Sequence, residues 1–191
     1  MSAIQYNHKM AAHCETGTVA ALLNHSGMDI TEPMVFGIAG GIFFGYFKTS
    51  QFTFPTFIVR SKPGQIRKNI EKLLGVNIIS SHYKDPLKAE AELDKLLDKG
   101  IPVAVQVDFF YMDYLPAWQR VHINVHFVTI IGRNGSKYLL SDIYYPKVVE
   151  IEKETLRKGR FAGGSMAPKG FMFLLNRFLR KLIMKKRLEK A

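Results

Sequence analysis

Between residues 101 and 145 the chain alternates short apolar, β-branched stretches with brief turn signals: "IPVAVQVDFF", then "INVHFVTIIG", then "KYLLSDIYY". Only "RNGS" separates the last two, a connection that joins antiparallel neighbours and cannot hold a parallel crossover. Upstream the texture is helical. From Cys14 onward Val19, Leu22 and Leu23 share one face, and Gly27 stands where a helix would stop. "KPGQIRKNIEKLLG" places Ile66, Ile70, Leu73 and Leu74 on a second apolar face. In "DPLKAEAELDKLLDKG" Asp85 can cap a helix, Pro86 suits its first turn and Gly100 ends it. "EKETLRKGR" reads as a short helix and "GGSMAPKGF" as a loop. Helices first and an antiparallel run afterwards is an α+β pattern, with N-terminal helices packed on an antiparallel sheet.

A chain of 191 residues is long enough for one domain with a proper core, and its 47% apolar and 23% charged residues are ordinary globular usage. One cysteine excludes an internal disulfide. "MSAIQYNHKM" lacks the basic flank and apolar centre of a signal peptide, and "MVFGIAGGIFFGYF" is too short and too rich in glycine to span a bilayer. A cytoplasmic protein is expected.

The formal net charge of +11 is concentrated at the C-terminus, where residues 176–191 carry seven Lys/Arg against one Glu. No zinc-finger spacing, RNA-recognition signature or basic region joined to heptads is present, so nucleic acid is not the expected partner. Phe171, Leu174, Leu175, Phe178, Leu179, Leu182 and Ile183 fall at helical spacing beside the basic residues. The expectation is a domain over 1–170 followed by a basic amphipathic helix over 171–191. Such a helix either lies on an anionic surface, the inner face of a membrane or an acidic partner, or packs its apolar face on its own domain.

Cys14 sits at the first turn of the first helix, where unsatisfied N–H groups and the helix dipole favour a thiolate. A lone cysteine is more often a small buried hydrophobe. A nucleophile also needs a base and a group to orient that base. His122 and His126 fall in the predicted strand, with His126 facing the same way as Val128 and Ile130, and Asp142 follows in the next strand.

Hairpin register decides whether His126 and Asp142 meet. A two-residue Asn134-Gly135 turn sets His126 against Ile143, with Asp142 on the opposite side of the sheet. A three-residue Arg133-Asn134-Gly135 loop, with Gly135 left-handed, sets His126 directly across from Asp142. The sequence permits both; the second makes a dyad and is the expected one. A nucleophilic Cys early in the chain, a His far downstream and an orienting Asp follow the papain-like order.

The ordered blocks "HCETGTVAALLNHSG", "EPMVFGIAGGIFFGY", "VDFFYMDY" and "HINVHFVTIIG…YLLSDIYYP" resemble the N-terminal domain of butirosin biosynthesis protein H. The likeness runs from about residue 12 to 162. That family is similar in fold to papain-like cysteine peptidases, in particular the double-glycine leader peptidases of bacteriocin export. The resemblance implies a cysteine acyltransferase that takes an acyl group from an acyl carrier protein to an amine or hydroxyl of a small-molecule acceptor in secondary-metabolite biosynthesis. It implies Cys14 as nucleophile, His126 as base and Asp142 as orienting carboxylate, with His122 a weaker candidate. The glutamine expected before a papain-type cysteine is absent, which leaves Asn7 or His8 as candidate oxyanion donors beside the Cys14 N–H. A basic surface suits an acidic carrier protein.

Hydrolysis by the same residues, as a peptidase, amidase or thioesterase, differs only in the acceptor. A groove used for binding alone is a further alternative. A metal site of His122, His126, Asp142 and the thiol is disfavoured, because two residues four apart on a strand stand about 13 Å from each other. No cofactor and no metal are expected. "GIAGG" lacks the Gly-Lys-Ser/Thr ending of a phosphate loop and suits close backbone approach near the thiol or tight packing.

Overall fold

The computed structural model describes residues 2–48, 50, 54 and 56–176. In chain order the elements are β1 (Ser2–Ala3), α1 (Cys14–His25), α2 (Glu32–Ile38), β2 (Ile42–Phe47), β3 (Thr56–Arg60), α3 (Gln65–Leu74), β4 (Ile78–Ser81) and α4 (Pro86–Asp98). They continue with β5 (Val103–Val107), β6 (His126–Asn134), β7 (Lys137–Ser141), β8 (Val149–Glu152), α5 (Lys153–Arg160) and β9 (Met172–Leu175). Two single-turn 3-10 helices, Phe109–Tyr111 and Ala117–Gln119, lie between β5 and β6.

Local chemistry sets the helix ends. His13 caps α1 by accepting from the Thr16 N–H, and Asp85 caps α4 by accepting from the N–H groups of Leu87 and Lys88. Gly75 and Gly100 take left-handed backbone just past α3 and α4.

Seven strands form one antiparallel sheet in the order β4-β9-β5-β6-β7-β8, with β1 added to β6; β2 and β3 form a separate ribbon. Ala104, Phe127 and Phe173 turn to one face and pack with Val19, Leu23, Val35, Ile66 and Ile70 from α1, α2 and α3. Val105, Val128 and Ile130 turn to the other face and meet Leu93 and Leu97 of α4 and Leu156 of α5. Helices therefore cover both faces, which explains why β5 and β6 read as nearly unbroken apolar runs. Leu23 and Leu93 are fully buried; truncating either to alanine costs about 2–5 kcal/mol.

Two expectations need correction. Residues 171–175 do not begin a helix. Met172–Leu175 form β9, hydrogen-bonded between β4 and β5, so the domain extends past residue 170. The run "FMFLL" carries apolar residues at every position, so it satisfies helical spacing and a doubly buried strand equally. Its pairing with β4 and β5 decides between them. Residues 177–191, the rest of the expected tail helix, lie outside the described residues. On α3, Ile66 and Ile70 are buried and Leu74 packs against the same core, but Leu73 turns outward and is 59% exposed.

Candidate active site

Cys14 is the first residue of α1, and charged residues brought from elsewhere hold the backbone around it. The Glu32 carboxylate, at the start of α2, accepts from Ala12 N–H (3.0 Å), His13 N–H (2.9 Å) and Thr16 Oγ1 (2.9 Å). Glu15 is buried and accepts from the Gly64 N–H, at 3.1 Å to each oxygen, and from Arg67 at 3.0 Å. The Arg67 guanidinium lies 4.7–5.0 Å from the ring centres of Phe127, Phe171 and Phe173, an arrangement that offsets burial of the charge. Gly17 lets the preceding loop close in, since a Cβ there would stand 2.5 Å from Ala11 Cβ and 3.2 Å from Ile143. Ala11 N–H then donates to Ile143 O at 3.0 Å, which draws the start of α1 against the segment that follows β7. Cys14 Sγ donates to Val125 O at 3.4 Å. The thiol is thereby placed one residue from His126.

His126 opens β6 opposite Val107. Its Nε2–H donates to Asp142 Oδ2 at 3.0 Å, and both side chains are buried. The dyad does not arise through either of the loops considered. The turn residues are Gly135 and Ser136, with Asn134 paired to Lys137 and Gly135 at φ 58°, a two-residue hairpin with glycine at its first central position. Continued unbroken, that register would put Asp142 on the wrong face. A bulge between Ile130 and Gly132 shifts the pairing by one, so that Thr129 meets Ser141. Asp142, one residue beyond β7, is then a diagonal neighbour of His126 on the same face rather than directly opposite. Tyr114 Oη donates to Asp142 Oδ2 at 2.6 Å and the Tyr144 N–H to Oδ1 at 2.9 Å. Phe109 meets the imidazole edge-on at 4.7 Å and Tyr144 lies tilted against it at 5.1 Å.

These contacts set the charges. Burial works against a charged imidazole, but the Asp142 carboxylate, its hydrogen bond and the Cys14 side chain outweigh it and push His126 up to about 9. Burial also works to raise Asp142, yet the His126 charge and the donors from His126, Tyr114 and Tyr144 hold its carboxyl below the usual range. Burial and the adjacent carboxylate keep Tyr114 protonated well above the ordinary phenol value, so it serves as a donor.

The other sequence candidates fall elsewhere. His8 spends both ring nitrogens, Nε2 donating to Tyr145 O (2.9 Å) and Nδ1 meeting Ser141 Oγ (2.8 Å). No N–H of that ring is left for an oxyanion, and Asn7 is exposed. His122 is not on the strand, which begins at His126. It is 64% exposed, bonded through Nδ1 to Asp108 Oδ2 at 2.7 Å and stacked on Phe110. Among the described residues no cluster of three or more His, Cys, Asp or Glu is placed to hold a metal. Of the "GIAGG" glycines, Gly40 makes a left-handed turn and Gly41 lies under the Phe36 ring, which is packing rather than approach to the thiol.

Sequence reading missed Glu15, Glu32, Arg67, Tyr114 and Tyr144. Tyr144 lies two residues past Asp142 and its hydroxyl reaches the Cys14 backbone N–H and Ala12 O (3.4 Å). The aromatic density of "DFFYMDYLPAW" was the one signal for Phe109 and Tyr114; nothing local marks Arg67 as the partner of Glu15.

A family model described as butirosin biosynthesis protein H, N-terminal, matches residues 13–143. Among solved structures, a C39-like peptidase from Bacillus anthracis is similar, with TM-score 0.61 at 15% identity, over 92% of this chain and 98% of that one. The peptidase domain of Streptococcus ComA, a bi-functional ABC transporter involved in a quorum-sensing pathway, is similar with TM-score 0.55 at 14% identity, over 90% and 98%. At such identities the likeness establishes the papain-like fold. No curated protein sequence matches the chain.

Proposed function

Because this chain belongs to the butirosin biosynthesis protein H, N-terminal family, a group of papain-like cysteine enzymes, we propose that it is a cysteine acyltransferase. It would take an acyl group from a carrier-protein thioester to an amine or hydroxyl acceptor. The observation that carries the reading is the buried His126–Asp142 pair at 3.0 Å, with the Cys14 thiol held at the Val125 carbonyl, the residue before that histidine. That arrangement suits a nucleophile, a base and a group orienting that base.

In the proposed sequence the Cys14 thiolate, paired with cationic His126, attacks the thioester carbonyl. The tetrahedral intermediate collapses, the carrier thiolate leaves, and it takes the proton from His126. Cys14 then carries the acyl group as a thioester. The acceptor attacks that carbonyl, neutral His126 removes the acceptor's proton, and collapse releases product and restores the thiolate–imidazolium pair. Asp142 keeps Nε2 occupied, leaving Nδ1 for the proton traffic. The Cys14 N–H supplies one oxyanion donor. With His8 committed elsewhere, the Tyr144 hydroxyl is proposed as the second, turning from Ala12 O and releasing the Cys14 N–H it faces, so that both donors meet the developing charge.

The test is the intact mass of the protein after incubation with an acylated carrier protein. The expected result is one acyl group on Cys14, discharged on adding an amine with formation of the amide. Absence of the adduct overturns the reading. An adduct that clears to free acid at the same rate with and without amine assigns a hydrolase.

A further inference from the structure

The β2–β3 ribbon is built unlike the rest of the molecule. Among the described residues it joins no other strand, and a lone two-stranded ribbon is marginal in water. Yet it is apolar on both faces. Tyr46 pairs with Phe57, and Phe44 packs on the same ring at 6.1 Å. Phe44 and Phe57 are nevertheless 70% and 63% exposed. On the other face Phe43 and Phe47 fold over Gly45, where a Cβ would stand within 2.9 Å of both rings. Phe43 is still 46% exposed. Apolar exposure on this scale marks an interaction surface.

Charge narrows the partner. From Glu32 to Glu71 the sequence contains Lys48, Arg60, Lys62, Arg67 and Lys68, and no acidic residue intervenes. Arg67 is spent on Glu15. Lys48 follows β2 directly, Lys62 lies just beyond β3, and both are exposed, as is Lys68. Aromatic side chains flanked by lysines suit the boundary between acyl chains and anionic headgroups. A protein surface covers one face of a thin ribbon, whereas a lipid phase covers both.

We infer that the β2–β3 ribbon inserts its aromatic side chains into an anionic phospholipid surface and docks the protein there. Arg60 and Ser61, at the foot of the ribbon, line the small cleft that holds Cys14. Docking therefore brings the thiol to the membrane interface, where a lipid-borne acyl donor or acceptor would be met. The inference stands on the ribbon alone and does not require Cys14 to be a nucleophile.

The test is co-sedimentation of the full chain with phosphatidylcholine vesicles and with vesicles containing phosphatidylglycerol. The wild type is expected to bind the anionic vesicles and to bind neutral ones more weakly. Phe44→Ser combined with Phe57→Ser should weaken binding about tenfold or more, with melting temperature and iodoacetamide alkylation of Cys14 unchanged. In a second measurement, Phe44→Trp in a Trp118→Phe background should show a blue-shifted emission on adding anionic vesicles. Failure of the wild type to bind, undiminished binding by the double variant, or an unshifted emission overturns the inference. So does a wild-type dimer that the double variant abolishes, which would assign the ribbon to self-association.

Discussion

The two sides of the cleft are held by different physics. At the Cys14 end, carboxylates do the holding: Glu32 gathers two backbone N–H groups and the Thr16 hydroxyl, and Glu15 is locked between Gly64 and Arg67. At the His126 end the sheet does it: the β5–β6 ladder fixes His126, and a bulge in β6 returns Asp142 to the correct face. A buried ion pair loses much when one partner is removed, because the other stays charged and unpaired. A ladder of backbone hydrogen bonds spreads the load over many residues. Loss of the Arg67–Glu15 pair should thus show chiefly in stability, whereas His126–Asp142 is a buried pair as well as the base, and its loss should show in both rate and stability.

Replacing the sulfur gives the largest change. Cys14→Ala and Cys14→Ser should abolish the acyl adduct, read by intact mass, while leaving the melting temperature near that of the wild type. On the base side, His126→Ala should slow single-turnover acylation by about 10²–10⁴-fold. Asp142→Asn should slow it less, because the carboxylate mainly orients the ring. Tyr144→Phe should cost on the order of 10²-fold in the same assay if its hydroxyl is an oxyanion donor. Rates equal to wild type would remove it from that role.

Arg67→Ala probes the nucleophile side and should lower stability by about 3–5 kcal/mol in urea titration, by stranding Glu15 in the core. Adding Glu15→Gln should recover part of that loss. A base-side change such as Tyr114→Phe should cost less, about 1.5–3 kcal/mol, since it removes one hydrogen bond to the buried Asp142 carboxylate. The last test is in pH. His126 is raised from 6.5 to about 9 in the folded protein, so its contribution to stability is complete below about 6.5 and is lost as pH rises through about 9. Urea midpoints should fall across that window in the wild type and stay flatter in His126→Ala. In Cys14→Ala, NMR titration should find the His126 value lower than in the wild type, because Cys14 is one of the groups that raises it.

How much of this was legible along the chain follows from range. Capping by Asp85, the stops at Gly75 and Gly100, and the buried face of α1 are set by neighbours within a few residues. Cys14 at a helix start and the choice of His126 and Asp142 were legible too, since the strand run and the papain-like order named them. The hairpin was legible as a hairpin and as a left-handed Gly135, but not in its register. The dyad forms through a different loop from the one the sequence predicts, since the bulge at Ile131, four residues before the turn, answers to packing across the sheet.

Taken alone, then, the sequence determined the α+β class, the ends of α3 and α4 and the choice of Cys14, His126 and Asp142 as candidates, because local periodicity, turn chemistry and residue type carry that information. Tertiary structure decided that "FMFLL" is the strand β9, that His8 turns to Tyr145 and that Tyr144 reaches the Cys14 backbone. It also decided that Arg67 answers Glu15 across fifty-two positions. Each of those outcomes turns on which distant groups compete for one buried contact, and that competition is settled only once the sheet has formed.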